Sequence, residues 1–328
     1  MSAYTLSEGD YARRHHHATP PPSPPSAATA ASSQTPYGGE VWVLMRRNFT
    51  NIWRTPELFL SRLMVLVAMG VLMATMFTKP RDDDQGVTER LSFFVFTVCV
   101  LFFSSNDAVP AFIQERFIFI RETSHNAYRA SAYVVAGVVT YLPFLLLQSA
   151  AYAAIVWFAL RLHGQFLYFL VMVYASLLST NSFVVFISSV VPNFNPWVSN
   201  TTLTSPHSIL PSHMYAAVIA FTALFFLFCG YFLDSHSIPV GWKWMNTIST
   251  MKYPYEGLLM NEFQGGRVFS SHPPPAPPLT GDVILEHLKI STAEDRKWWM
   301  VLYLMGWAVF YRVLFYLVLR FASKNKRK

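Results

Sequence analysis

The stretch QERFIFIRETSHNAYR, residues 114–129, is the densest charged segment between two long apolar runs. Its charges alternate in sign around aromatic and aliphatic residues, and at 3.6 residues per turn Glu115 and Phe119 share one helix face. Such a pattern is typical of a short amphipathic helix held at a membrane surface. A solvated loop that only reverses the chain is the alternative. The flanking sequence favours a surface helix that contacts a soluble partner.

The composition identifies a membrane protein. Of the 328 residues, 53% are hydrophobic and only 13% are charged, whereas a soluble domain has about 25% charged residues. The mean hydropathy of +0.31 points the same way. The net charge of +7 follows the topology of the chain and predicts no nucleic-acid partner. Cys99 and Cys229 both lie inside apolar runs, so we interpret them as small buried residues and not as a disulfide.

Six apolar runs have the roughly 20 residues that a membrane-spanning helix needs. They predict an all-α polytopic membrane protein with spans at about 58–78, 91–113, 132–160, 166–191, 214–233 and 298–320. The third run contains Pro143, which predicts a kink or a strong tilt.

Two different segments precede the first span. Residues 1–38 are rich in Pro, Ala and Ser and cannot bury a core, so we expect a disordered tail. The pattern that follows, up to Arg54, predicts an amphipathic helix lying in the membrane interface. Trp42 supplies an interfacial aromatic ring there, and Arg46 and Arg47 supply the cationic face.

Lys and Arg in the flanks of the spans set the expected orientation, because cytosolic segments carry an excess of them. The segment before the first span, residues 114–129 and the Lys/Arg-rich end of the chain carry this excess. Both termini and the charged stretch are therefore predicted to be cytosolic. Residues 234–297 become a large external loop between the fifth and sixth spans, with a helical stretch at Tyr255–Glu262.

The sequence contains no motif for ATP chemistry and no catalytic grouping. No G-x-x-x-x-G-K-[S/T] phosphate loop occurs, and no metal site is predicted. The few ionisable residues inside the spans are candidates for function. Asp107 and Arg312 lie at similar depth, and we expect them to pair. Arg62 is the rival partner, and an arginine that only extends to the headgroups is the alternative.

Several strings together resemble one family. They are RTPELF at 54–59, the stretch at 114–129, Val191-Pro192-Asn193, KYPYEG at 252–257 and SKNKR at 323–327. As a set they are similar to the membrane domain of plant G-subfamily ABC half-transporters (ABC-2 type), and within these to the stunted-arbuscule type. The resemblance covers residues 39–328. It implies six helices of this family's type, with an interfacial connecting helix, a cytosolic coupling helix and a large external loop.

The resemblance also implies roles for particular residues. The coupling helix, which docks on an ATPase domain, would use Glu115, Arg116, Arg121 and Glu122, with Arg46 and Arg47 as neighbours. The implied substrate-cavity residues are Phe96, Cys99, Val100, Phe103, Ile219, Ala223 and Phe226. An upper hydrophobic valve would fall on Tyr231 and Phe232.

The implied activity is export of lipid-like substrates by a homo- or heterodimer of half-transporters in arbuscular mycorrhizal symbiosis. The expected location is the plasma membrane or the periarbuscular membrane. ATP and Mg are expected on a nucleotide-binding domain elsewhere, because a Pro-rich tail stands where the family carries that domain. Either the chain is a truncated product or a partner supplies the ATPase chemistry. A non-transporting assembly or regulatory partner of a full half-transporter is therefore the alternative. Asn195–Met214 is expected to be an insertion.

Overall fold

The computed structural model describes residues 36–77, 80, 83–124, 127–190, 206–232, 238–265, 268–270, 279–293 and 295–321. Within them the chain is almost entirely helical. The α-helices are α1 (Tyr37–Arg54), α2 (Glu57–Met76), α3 (Asp84–Ser104), α4 (Val109–Ser124), α5 (Ala130–Leu160), α6 (Phe166–Val190), α7 (Pro206–Leu227), α8 (Lys243–Ile248), α9 (Lys252–Phe263), α10 (Gly281–His287) and α11 (Arg296–Phe321). Two short strands, β1 (Val268–Ser270) and β2 (Leu279–Thr280), pair antiparallel with Val268 opposite Thr280.

Helix α6 is the centre of the bundle. In its apolar segment 78% of the residues are buried inside the protein, against 22% in α11 and 28% in α5. It is also rich in buried hydroxyl side chains. Ser176, Thr180 and Ser182 each donate to the carbonyl oxygen four residues earlier, at 2.7 to 2.8 Å. These bonds satisfy the hydroxyls inside the helix, so small polar residues can pack against neighbouring helices within the membrane.

Five described helices, α2, α3, α5, α6 and α11, are long and apolar enough to cross a membrane. The all-α polytopic fold class is thereby confirmed, and four of the predicted spans agree with helices within two residues wherever the structure describes their ends. The predicted tail lies outside the described residues up to residue 35. Its end was misplaced by two residues, because α1 already begins at Tyr37. The amides of Gly39 and Glu40 bond to the Pro36 carbonyl and start this helix.

The second predicted span was wrong at both ends. Helix α3 begins at Asp84, where the Asp83 side chain caps it by accepting the Gly86 amide at 2.7 Å. It ends at Ser104, and a 3₁₀ turn at Ser105–Ala108 then precedes α4. The charged stretch therefore belongs to a helix that begins at Val109, inside the apolar run.

The predicted span at 214–233 was also misplaced. Its helix, α7, begins at Pro206, so the second half of the predicted insertion at 195–214 is helical. Proline suits a first helical position, because its missing N–H has no partner there. The helix ends at Leu227, before Gly230, whose φ of 97° breaks the helical path. Its apolar part, Ala216–Leu227, is shorter than the other candidate spans.

The described parts of the segment between α7 and α11 pack against the bundle. The predicted helix at Tyr255–Glu262 is confirmed as part of α9, whose residues from Tyr255 to Phe263 are all buried except Glu256. Helix α9 packs on α3, α6 and α11. The predicted external loop is thus anchored to three of the candidate membrane spans.

Candidate functional site

Helix α4 directs two of its charged residues inward. Phe119 is 2% exposed and packs on the Tyr133 ring at 4.8 Å, which fixes the inner face of the helix. Glu115 lies on the same face and accepts a hydrogen bond of 3.0 Å from the Tyr141 hydroxyl of α5. Arg116 is 8% exposed and donates to the Ser188 carbonyl oxygen of α6 at 3.3 Å. These two side chains therefore join α4 to the spans.

The other end of α4 is tied to α1. Arg47 Nη1 lies 2.8 Å from Glu122 Oε1 and 2.9 Å from Oε2, and the Tyr128 hydroxyl donates to Glu122 at 2.6 Å. A second link joins Glu40 of α1 to Arg129, whose backbone N–H donates to the Glu40 carboxylate at 3.3 Å. The predicted interfacial helix and the predicted coupling helix are thus in direct contact.

Burial and these partners shift the pKa values of the two glutamates in opposite directions. Burial raises the pKa of Glu115, and the Tyr141 hydrogen bond and the nearby arginines only partly oppose it. Burial also acts against ionisation of Glu122, but hydrogen bonds from Tyr128 and Arg47 outweigh it and lower the pKa of Glu122. Glu122 is therefore an anion at neutral pH, while Glu115 is held closer to its neutral form.

A cleft of about 670 Å³ lies between α1 and α4. The cleft is lined by three arginines, Arg46, Arg54 and Arg121, together with Trp42 and Glu122. Among the four predicted coupling residues, Arg121 is exposed. The four predicted residues thus divide into an inner pair, Glu115 and Arg116, and an outer pair, Arg121 and Glu122, and their coupling role remains a prediction.

The predicted cavity residues lie on two neighbouring apolar faces. On α3 they recur at helical spacing, and Phe96 and Phe103 are 47% and 36% exposed, while Cys99 and Val100 are half-buried. On α7, Ile219 is 44% exposed, Ala223 is exposed and Phe226 is half-buried. The opposite face of α3 is the packed one, with Phe102 and Leu101 fully buried.

The predicted valve residues follow the end of α7. The Tyr231 and Phe232 rings meet edge to face at 5.0 Å, and the Phe232 ring lies 5.2 Å from Phe226. The Tyr231 hydroxyl is 3.1 Å from the Ser92 hydroxyl of α3. This aromatic group therefore lies at the same end of both faces, and its role as a valve stays a prediction.

Asp107 and Arg312 were predicted to pair. The side chain of Asp107 is not among those that the structure describes. Arg312 donates from Nη2 to Asn181 Oδ1 at 2.8 Å and from Nε to Ser182 Oγ at 3.1 Å, both on α6. Arg62, the other candidate partner of Asp107, is 8% exposed, and its Nη2 lies 3.5 Å from the Ser105 hydroxyl. The pair stays a prediction.

One cluster was missed by the sequence analysis. Arg90 Nε lies 3.5 Å from Glu262 Oε1, with side chains 3% and 2% exposed. Glu262 also accepts the backbone N–H of His163 at 3.0 Å, and Asn261 Oδ1 accepts that of Gln165 at 3.0 Å. Between them, Gly164 touches Asn261 so closely that no Cβ would fit. Helix α9 thereby holds the turn between α5 and α6, and the string Asn261-Glu262-Phe263 was the available signal.

Comparison with known proteins agrees with this architecture. A family model described as ABC-2 type transporter matches residues 39–204 and 208–263. The chain therefore belongs to the ABC-2 type transporter family, and it is a multi-pass membrane protein.

The chain is also similar to plant proteins of the ABC G family. The chain is 64% identical over 288 residues to "ABC transporter G family member STR2" of Petunia hybrida, covering 88% of this chain and 38% of that protein. The protein of the same name in Medicago truncatula is 65% identical over 291 residues, covering 89% and 37%. "ABC transporter G family member STR" of Petunia hybrida is 43% identical over 321 residues, covering 89% and 36%. The predicted resemblance is confirmed, and the chain spans less than two fifths of these relatives.

Proposed function

We propose that this chain is the membrane-spanning half of an ATP-driven exporter of lipid-like substrates, and that it works as a dimer with a second G-subfamily half-transporter. The observation that carries the proposal is the pair of adjacent apolar faces on α3 and α7. Residues such as Phe96 and Ile219 stay exposed there, although the opposite face of α3 is packed. A second copy or a partner facing them would enclose an apolar cavity inside the membrane.

ATP would be hydrolysed on a nucleotide-binding domain, with Mg bound there and not by these residues. Helix α4 would receive the resulting motion. Its outer end is bonded to α1 through Arg47 and Glu122, and its inner end to α5 and α6 through Glu115 and Arg116. A displacement of α4 would therefore move α5 and α6 with it, which supports rigid-body alternating access.

A role in arbuscular mycorrhizal symbiosis, at the plasma membrane or the periarbuscular membrane, is part of this proposal and rests on the resemblance of the sequence to the stunted-arbuscule type. Under this proposal both termini, α1 and α4 are cytosolic. The segment between α7 and α11 faces outward, with Tyr231 and Phe232 as a valve above the cavity.

The test is lipid movement across vesicles. The full chain is reconstituted with a full-length G-family half-transporter, and ATP-dependent export of a labelled acyl lipid is measured. Ala223→Trp would fill the cavity face and is expected to reduce transport about tenfold or more, a change of roughly 1.4 kcal/mol. Ala68→Trp, at an alanine of α2 that is also exposed, serves as the matched control and is expected to transport normally.

Two outcomes would contradict the proposal, the first its export activity and the second its cavity on α3 and α7. The first is an intact complex, shown by co-purification, that moves no lipid with ATP. That result would favour the assembly-partner alternative. The second is full transport by Ala223→Trp, which would place the substrate path elsewhere.

A further inference from the structure

A second apolar site shares no residue with the α3 and α7 faces. It is a groove of about 360 Å³ between α5, α6 and α11, lined on its apolar part by residues such as Val135, Val139, Met305 and Val309. Its volume falls in the range of about 300–1,000 Å³ that is usual for ligand sites. None of the predicted cavity residues lines it.

One end of the groove is polar. Ser131 lies in the first turn of α5, and Tyr316 lies near the end of α11. Arg320, one turn beyond Tyr316, donates to the Tyr316 hydroxyl at 2.9 Å and is exposed. Arg312, one turn before Tyr316, lines the groove itself. Two cations therefore stand at one end of an otherwise apolar groove.

The spacing on α11 explains this arrangement. Met305, Val309, Arg312, Tyr316 and Arg320 follow each other at intervals of three or four residues, so they share one helix face. The face runs from apolar to cationic along the helix axis. This is the polarity of a phospholipid, whose acyl chain lies below its phosphate.

The electrostatics of Arg312 favour an anion. Its hydrogen bonds go to neutral oxygens of Asn181 and Ser182. Glu115, which lines a small pocket together with Arg312 and interacts with it electrostatically, is held closer to its neutral form by burial. A cation placed among membrane helices is costly unless a counter-charge or several dipoles stabilise it. An anionic lipid group would add a full negative charge from the bilayer.

We propose that this groove binds an anionic phospholipid of the surrounding membrane. One acyl chain lies along Val135, Val139 and Val309, and the phosphate lies at Tyr316 and Arg320. Arg312, deeper in the groove, binds an oxygen of the same lipid. The lipid is a bound component of the protein and not its transported substrate.

The test is photo-cross-linking with phospholipids that carry a photoreactive group in one acyl chain. The full chain is placed in lipid nanodiscs with either a phosphatidylserine or a phosphatidylcholine probe, and labelled peptides are identified by mass spectrometry. We expect the serine probe to label peptides of α5 and α11 about fivefold more strongly than the choline probe, from the attraction of a single interfacial arginine.

Four variants separate the proposal from general contact with lipid. Arg320→Gln is expected to remove the preference for the serine probe, and Arg320→Lys to retain it. Val139→Trp fills the groove and is expected to abolish labelling of α5 and α11 by both probes. Val71→Trp on α2 is the matched control, because Val71 and Val139 are 48% and 41% exposed, and it is expected to change nothing.

Equal labelling by both probes, unchanged by Arg320→Gln, would overturn the proposal and leave a groove filled by unselected lipid. Labelling by neither probe, together with cross-links between two copies of α11, would assign the groove to a second chain. Because Arg320 is exposed, its variants are expected to fold, so the test does not depend on a substitution at Arg312.

Discussion

Arg47 and Glu122 are the contact through which α1 holds α4, with Arg47 Nη1 within 2.9 Å of both carboxylate oxygens. Their side chains are 43% and 26% exposed. An ion pair this accessible contributes little stability, because water screens its charges. Its importance is geometric, since it connects the amphipathic helix that enters the membrane domain with the helix that follows α3.

Glu122→Gln is expected to lower the free energy of unfolding by less than about 1 kcal/mol near neutral pH. The folded pKa of Glu122 lies below its unfolded value of 4.5, so the stabilisation is present above pH 4.5 and is lost as the pH falls through the folded pKa. Thermal unfolding in detergent from pH 7 to pH 3 checks this. If the difference in melting temperature between wild type and variant grew at acid pH, the prediction would be wrong.

Glu115→Gln is expected to stabilise the protein at pH 8. Burial raises the pKa of Glu115, so the folded state binds more protons and wild-type stability falls as the pH rises from 4.5 through the folded pKa. Glutamine keeps an acceptor for Tyr141 without the buried charge. The melting temperature of the variant should exceed that of wild type at pH 8, and the gap should narrow toward pH 4.5. A variant that is less stable than wild type at pH 8 would contradict this. It would show that the nearby arginines stabilise the ionised carboxylate of Glu115 by more than burial destabilises it.

Glu262→Gln is expected to destabilise the protein by about 1–3 kcal/mol, because it removes the charged acceptor that lies 3.5 Å from Nε of the buried Arg90. Chemical unfolding in mixed micelles measures the loss. Glu286→Gln, at an exposed glutamate of α10, is the control and should stay within about 0.5 kcal/mol of wild type. Equal behaviour of the two variants would mean that the pair contributes nothing.

Two glycine substitutions, Gly257→Ala and Gly306→Ala, should change the free energy of unfolding in opposite directions. A Cβ on Gly257 would collide with the Met172 side chain and lie 2.7 Å from the Tyr168 hydroxyl, which predicts a loss of about 1–3 kcal/mol. A Cβ on Gly306 meets nothing within 4 Å, so the better helix propensity of alanine predicts a gain of up to about 1 kcal/mol. Thermal unfolding of both variants tests the difference. A loss at both sites would show that neither helix tolerates a side chain.

The class of fold was predictable because a membrane span requires about 20 apolar residues, and such runs are visible in a sequence. The helix ends were harder to predict. The 3₁₀ turn at Ser105–Ala108 lies inside an apolar run, and hydropathy does not register a change of backbone hydrogen bonding. Gly230 is visible in the sequence as a position that favours the end of a helix. The aromatic residues after it extend the apolar run, so the predicted span continued too far along the chain.

The candidate site was predictable only in part. Glu115 and Phe119 do share a face of α4, but a helix with charges on both sides does not show which face turns inward. The burial of Phe119 and the hydroxyl of Tyr141 decide that. The contact of Arg90 with Glu262 depends on how α9 docks against α3, which no local pattern records.

The turn between α5 and α6 has a practical consequence for anyone who wishes to label this protein. Epitopes and fluorophores are commonly inserted in short connections between membrane helices, and residues 161–165 look suitable in the sequence. Here the amides of His163 and Gln165 and the surface of Gly164 are already occupied by Asn261 and Glu262. An insertion at that turn would break these contacts between α9 and the connection of α5 with α6. Val240, 83% exposed, offers a reporter position that disturbs none of these contacts.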